Sequence, residues 1–229
     1  MKIDKSIEIA EGRKALYGIL SSIYLNEISP PLLYELQSAP VRSALSDFSF
    51  QTDALKSKGN NEDFINELEV EFTGLFIGPG MVQVSPYESV YFEKQIYGTA
   101  AFEAALFYER YGLSMEKSPS LKVFKLLPDH IGVEMQFMKL LVEKEIMGRK
   151  EENQDKASRA LEIQKIFLTK HLGRWAKLFC EKVMLFASNP FYCEFAKLTE
   201  KFIQDEMFIL ENLTGESGIY EKQAQSICH

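Results

Sequence analysis

Apolar residues recur at intervals of three and four along almost the whole chain, and no segment is strand-rich. Leu16, Ile19, Leu20, Ile23 and Tyr24 set the pattern and predict an amphipathic helix over residues 4–26. Pro30-Pro31 stops that helix and starts a short one through Leu36. A polar stretch from Gln51 to Asn61 leads into Glu62-Asp63, a helix-start signal. Phe64, Ile65, Leu68, Phe72, Leu75 and Phe76 then mark one face until Gly78-Pro79-Gly80 ends it. Thr99 reads as the cap of a helix to Tyr111, closed by Gly112. Pro128 opens a long helix with Ile131, Met135, Met138 and Val142 on one face, running out near Gly148 into the charged stretch Arg149 to Lys156. Two or three further helices cover residues 157–213, and the end from Glu216 reads as frayed. The predicted class is all-α, an irregular helical bundle with two long loops, 77–99 and 112–127.

A length of 229 residues, 46% of them hydrophobic, suits a single globular domain over 1–229, with lobes at 1–112 and 128–215 as the alternative division. Asp and Glu outnumber Lys and Arg, giving a formal charge of -7. Such a surface repels nucleic acid and anionic membrane and favours basic partners. Cys180, Cys193 and Cys228 cannot form a closed disulfide set and include no Cys-x-x-Cys pair, so reduced thiols in the cytoplasm are expected. No window is apolar for long enough to span a bilayer, and the first residues lack an apolar leader core.

Enzyme patterns are missing. His130 and Glu134 share a helical face, as metal ligands do, but only His171 and His229 remain as further histidines. There is no Glu-x-x-His, no His-Glu-x-x-His, no phosphate-binding Gly-x-x-x-x-Gly-Lys and no Gly-x-Ser-x-Gly elbow. No metal and no cofactor are therefore expected. Asp129 and His130 have two readings: a cap on the helix that follows, or a polar pair able to hold a cationic or hydrogen-bonding partner. A protonated imidazole is disfavoured at a helix start, so His130 is expected neutral and hydrogen-bonded. Pro86-Tyr87-Glu88-Ser89-Val90-Tyr91 places aromatic and apolar groups beside a carboxylate on a predicted loop. That suits an apolar peptide groove with an acidic rim, or tyrosines packed as lids over the helices.

Taken together, Glu71-Phe72-x-x-Leu75-Phe76-x-Gly78-Pro79, Pro86-Tyr87-Glu88-Ser89-x-Tyr91 and Pro128-Asp129-His130-Ile131-Gly132-x-Glu134-Met135-x-Phe137-Met138 resemble the TorD/DmsD family of cytoplasmic redox-enzyme maturation chaperones, related to the NarJ type. The resemblance runs from the first helix to about residue 205, with Met135 where leucine is more usual, a volume-conserving change. It implies an all-helical protein without catalytic turnover; monomer and homodimer both stay open from the sequence. It also implies binding of the twin-arginine signal peptide, and often the apo form, of a molybdenum-cofactor oxidoreductase held back from export until the cofactor is inserted. The alternative is a non-enzymatic adaptor for the mature oxidoreductase; a helical metal- or nucleotide-dependent enzyme comes last. Carried over, the peptide-binding residues are Pro86, Tyr87, Glu88, Ser89, Asp129 and His130, with Leu75 and Phe76 nearby. By charge and polarity, Glu88, Asp129 and Glu134 would engage guanidinium groups, while Leu75, Phe76, Pro86, Tyr87 and Tyr91 would cover an apolar stretch.

Overall fold

The computed structural model describes residues 5–56, 59–78, 84–112 and 126–227, with side chains described through Thr214. Its α-helices are α1 (Lys5–Leu25), α2 (Pro30–Gln37), α3 (Ala39–Asp47), α4 (Asn61–Phe72), α5 (Glu88–Glu93), α6 (Thr99–Tyr111), α7 (Ile131–Lys150), α8 (Gln154–Lys170), α9 (Leu172–Phe186) and α10 (Pro190–Ile227). Among the described residues no strand forms, so the class is all-α as the apolar spacing predicts. Most of the predicted loop 112–127, including Lys117-Ser118-Pro119, lies outside the described residues, as does Cys228.

The starts follow from local chemistry. Asn60 accepts a hydrogen bond from Asp63 N and caps α4; Asn153 does the same for α8 through Lys156 N; and Pro30 and Pro31 occupy the first positions of α2. Gly112 adopts φ +90 and closes α6 with its N–H on Tyr108 O at 2.8 Å.

Several elements depart from the sequence reading. Helix α3 has too short a pattern to stand out. The helix predicted to run to Gly78 is α-helical only to Phe72 and then widens into a π-helical turn, Thr73–Ile77, which carries Leu75 and Phe76 into the core. The predicted loop 77–99 contains α5. Helix α7 begins at Ile131 rather than Pro128, and His130 is its cap. Gly98, not Thr99, is the cap position of α6, and the free N–H groups of Thr99 and Ala100 reach the Glu93 carboxylate at 2.7 and 3.0 Å. The backbone of α10 is helical through Ile227, where fraying is predicted from Glu216.

Helix α7 is the axis of the molecule. It packs against α1 and α8 and is buried nearly all round, so the face seen in the sequence is only part of its contact surface. Two glycines permit this. A Cβ on Gly132 would lie 2.6 Å from Leu25 Cγ on α1, and one on Gly148 would lie 2.7 Å from Ala157 N on α8. Ser21 Oγ of α1 donates to Gly132 O at 2.8 Å. Around this axis one hydrophobic cluster draws on residues from Ala10 to Leu210, including Tyr17, Tyr24, Phe167, Trp175 and Tyr192.

Polar groups also cross the core. Arg13 of α1 donates to Glu206 of α10 at 2.6 and 2.9 Å, to Glu145 of α7 at 2.8 Å and to Gln164 of α8 at 2.6 Å. Burial opposes the guanidinium charge, but the hydrogen bond and charge of Glu206 and the charge of Glu145 raise its pKa above the ordinary value.

Candidate functional site

The second and third motifs interlock. Glu88 N donates to Asp129 O at 3.0 Å, Ile131 N donates to Pro86 O at 2.9 Å, and Tyr87 pairs with His130 in an isolated antiparallel bridge. The Asp129 carboxylate accepts from Ser89 N at 2.9 Å. Asp129 thus caps α5, forty residues back in the chain, rather than the helix it precedes. That duty falls to His130, whose Nδ1 accepts from Gly132 N at 3.1 Å. An accepting Nδ1 requires a ring without its second proton, and burial pushes the His130 pKa down to about 3.

Behind this joint lies a buried polar chamber. Glu88, Asp129 and Glu134 are each 0% exposed, and His171 is 1% exposed. His171, at the junction of α8 and α9, places Nδ1 2.9 Å from Glu88 Oε2. Trp175 of α9 donates Nε1–H to Glu134 Oε2 at 3.1 Å. Burial pushes the Glu134 carboxyl well up and the charge of Glu88 adds to this; the Trp175 hydrogen bond works against both, and Asp129 raises it further. Arg174 approaches from the solvent side, its Nη1 3.5 Å from Glu88 Oε1 and its guanidinium 4.4 Å from the centre of the Phe92 ring.

The ten residues expected at the site are not equally placed. Pro86, Glu88, Ser89, Asp129, His130 and Glu134 come together, but all are buried and most of their polar groups serve the joint. Tyr87 and Tyr91 are half-buried over it. The Tyr87 ring stands edge-on to His130 at 5.2 Å; Tyr91 OH donates to Ser85 O at 3.0 Å and its ring lies 5.2 Å from Trp175. Burial raises both phenol pKa values, with the charge of Asp129 adding for Tyr87. Leu75 and Phe76 lie in the core: Phe76 packs on Phe179, itself 5.7 Å from Trp175, so they support the chamber from behind.

Sequence reading passed over two groups. His171, Arg174 and Trp175 complete the chamber, yet nothing local marks them apart from a histidine between two helices. Phe92, Ile96, Tyr97, Phe102 and Leu106 form an exposed apolar series along α5, the turn after it and α6, with Tyr97 77% and Phe102 65% exposed. The sequence signal for Phe92, Ile96 and Tyr97 is apolar side chains inside the predicted loop 77–99; Phe102 and Leu106 lie on the predicted helix from Thr99 to Tyr111.

The family model described as nitrate reductase delta subunit matches residues 36–181, more than half of the chain. A relative named Chaperone protein TorD from Vibrio cholerae serotype O1 is 27% identical over 218 residues, covering 90% of this chain and 96% of its own. Another of that name, from Shewanella piezotolerans, is 25% identical over 231 residues, covering 95% and 99%. A crystal structure of a redox enzyme maturation protein from Archaeoglobus fulgidus superposes with a TM-score of 0.54 at 24% identity, covering 84% of this chain and 93% of that one, a likeness of fold. By the span of the family match, this chain belongs to the nitrate reductase delta subunit family, the TorD- and NarJ-type redox-enzyme maturation chaperones.

Proposed function

We propose that the protein is a non-enzymatic cytoplasmic chaperone that binds the twin-arginine signal peptide of a molybdenum-cofactor oxidoreductase, and its apo form, until the cofactor is in place. The observation that carries this reading is the exposed apolar series Phe92, Ile96, Tyr97, Phe102 and Leu106 beside the interlocked motifs. A surface of that kind marks a binding face rather than a solvated one. A leader of this type has a basic patch followed by an apolar stretch. The apolar stretch lies along α5 and α6, with Tyr87 and Tyr91 at its edge and Pro86, Leu75 and Phe76 supporting it from within. The basic patch meets the negative potential of Glu88 and Asp129, and a leader guanidinium takes the place Arg174 holds over Glu88. Ser89 and His130 keep the two motifs in register. Among the described residues no helix is long and apolar enough to cross a membrane.

Calorimetric titration with the leader of an oxidoreductase encoded beside this gene tests the reading, with an arginine-to-lysine leader as control. Saturable binding is expected, weaker for the control and roughly thirtyfold weaker for the double variant Tyr97→Ser, Phe102→Ser, since two aromatic anchors at about 1 kcal/mol each are lost. Unchanged binding in that variant would remove the proposed surface. Binding only to the leaderless mature enzyme would replace the chaperone reading with the assembly adaptor.

A further inference from the structure

The chamber behind the joint holds several unpartnered polar atoms, and the cation that reaches it is Arg174, 3.5 Å from Glu88 Oε1. Glu88, Glu134 and His171 each offer one ligand atom, and these atoms lie within 4.8 Å of one another at full burial. Glu88 Oε1, Asp129 Oδ1, Glu134 Oε1 and His171 Nε2 have no hydrogen-bond partner. Buried polar groups in folded proteins are otherwise almost always paired.

We propose that Glu88, Glu134 and His171 form a binding site for a divalent transition-metal ion of the zinc class. One imidazole and two carboxylates are the donor set such an ion takes. Calcium and magnesium prefer more oxygen donors than the chamber holds. The 2.9 Å hydrogen bond between His171 Nδ1 and Glu88 Oε2 already brings an imidazole nitrogen and a carboxylate oxygen to one point, and an ion would replace the proton between them. Ligand atoms on a tetrahedral ion stand about 3.4 Å apart, so small rotations of the two glutamates close the remaining distance. Trp175 holds Glu134 Oε2 and leaves Oε1 free to ligate, the outer-shell role that orients metal ligands. Arg174, 46% exposed and 3.5 Å from Glu88 Oε1, is the side chain that faces both solvent and the chamber.

The full chain should be titrated with Co2+ and with Zn2+, following cobalt absorbance, bound metal after dialysis and fluorescence. The chain has one tryptophan, and its indole nitrogen lies 3.1 Å from Glu134 Oε2, so it reports directly on the chamber. Saturable Co2+ absorbance without a thiolate charge-transfer band is expected, with Trp175 emission quenched over the same concentration range and Zn2+ displacing the signal. Glu134→Gln and His171→Gln should each weaken binding at least ~10-fold, while Cys228→Ser leaves it unchanged. Absence of binding would overturn the proposal. So would a thiolate band, or cobalt absorbance without tryptophan quenching, even if neither chamber variant folds. Leader binding is measured separately, so a chain that takes leader but no metal would sink this site and leave the chaperone reading standing.

Discussion

His130 shows how one residue can be readable in type and still be settled by its surroundings. Its position at a helix start already argues for a neutral ring, and the fold adds burial and an accepting Nδ1. The unfolded chain takes up a proton near pH 6.5, whereas the folded chain does not until about pH 3. Between those limits the unfolded state binds more protons, so stability falls as pH drops, by about 1.4 kcal/mol per pH unit from this group. His130→Asn keeps a capping oxygen and removes the titration. Urea unfolding at pH 6.5 and pH 5 should show the native chain losing ~2 kcal/mol more than the variant; an equal loss in both would mean that His130 is not held neutral. Asp129 teaches the opposite lesson. It reads as a cap for its own helix, and only the tertiary fold brings Ser89 N to it instead.

Helix α7 decides how the elements pack. Its glycines are where neighbours come closest, and nothing in a run of helical residues says which glycine is a contact and which is incidental. Gly74, for example, would have no atom within 4 Å of an added Cβ. Gly148→Ala would press on the Ala157 backbone N at 2.7 Å and Cα at 3.0 Å, atoms that cannot rotate away. A loss of ~1–3 kcal/mol in urea unfolding is expected, while Gly74→Ala should not destabilise the chain. Helix α5 was hidden for a related reason. Six residues make too little helical pattern to detect, and its first turn is held by a carboxylate from another part of the chain.

At the scale of the whole molecule, the buried Arg13 network ties α1, α7, α8 and α10 together. Arg13→Ala would leave Glu145 and Glu206 without their shared cation in the core and should cost ~3–5 kcal/mol in chemical unfolding. Lys56→Ala, which breaks an exposed pair with Asp53, should leave the unfolding midpoint unchanged. Helical spacing, proline and glycine positions, and the three motifs are properties of the sequence alone. They determine the all-α class, most helix positions and the kinship, because periodicity and capping are local. Which carboxylates face solvent was decided only by the tertiary structure. Glu88, Asp129 and Glu134 look like a rim from their charge, yet the packing of α5, α7 and α9 buries them. His171, Trp175 and Arg174 join them because the junction of α8 and α9 folds back onto α5. Burial and long-range pairing depend on groups far apart in the chain, and no local pattern encodes which distant groups will meet.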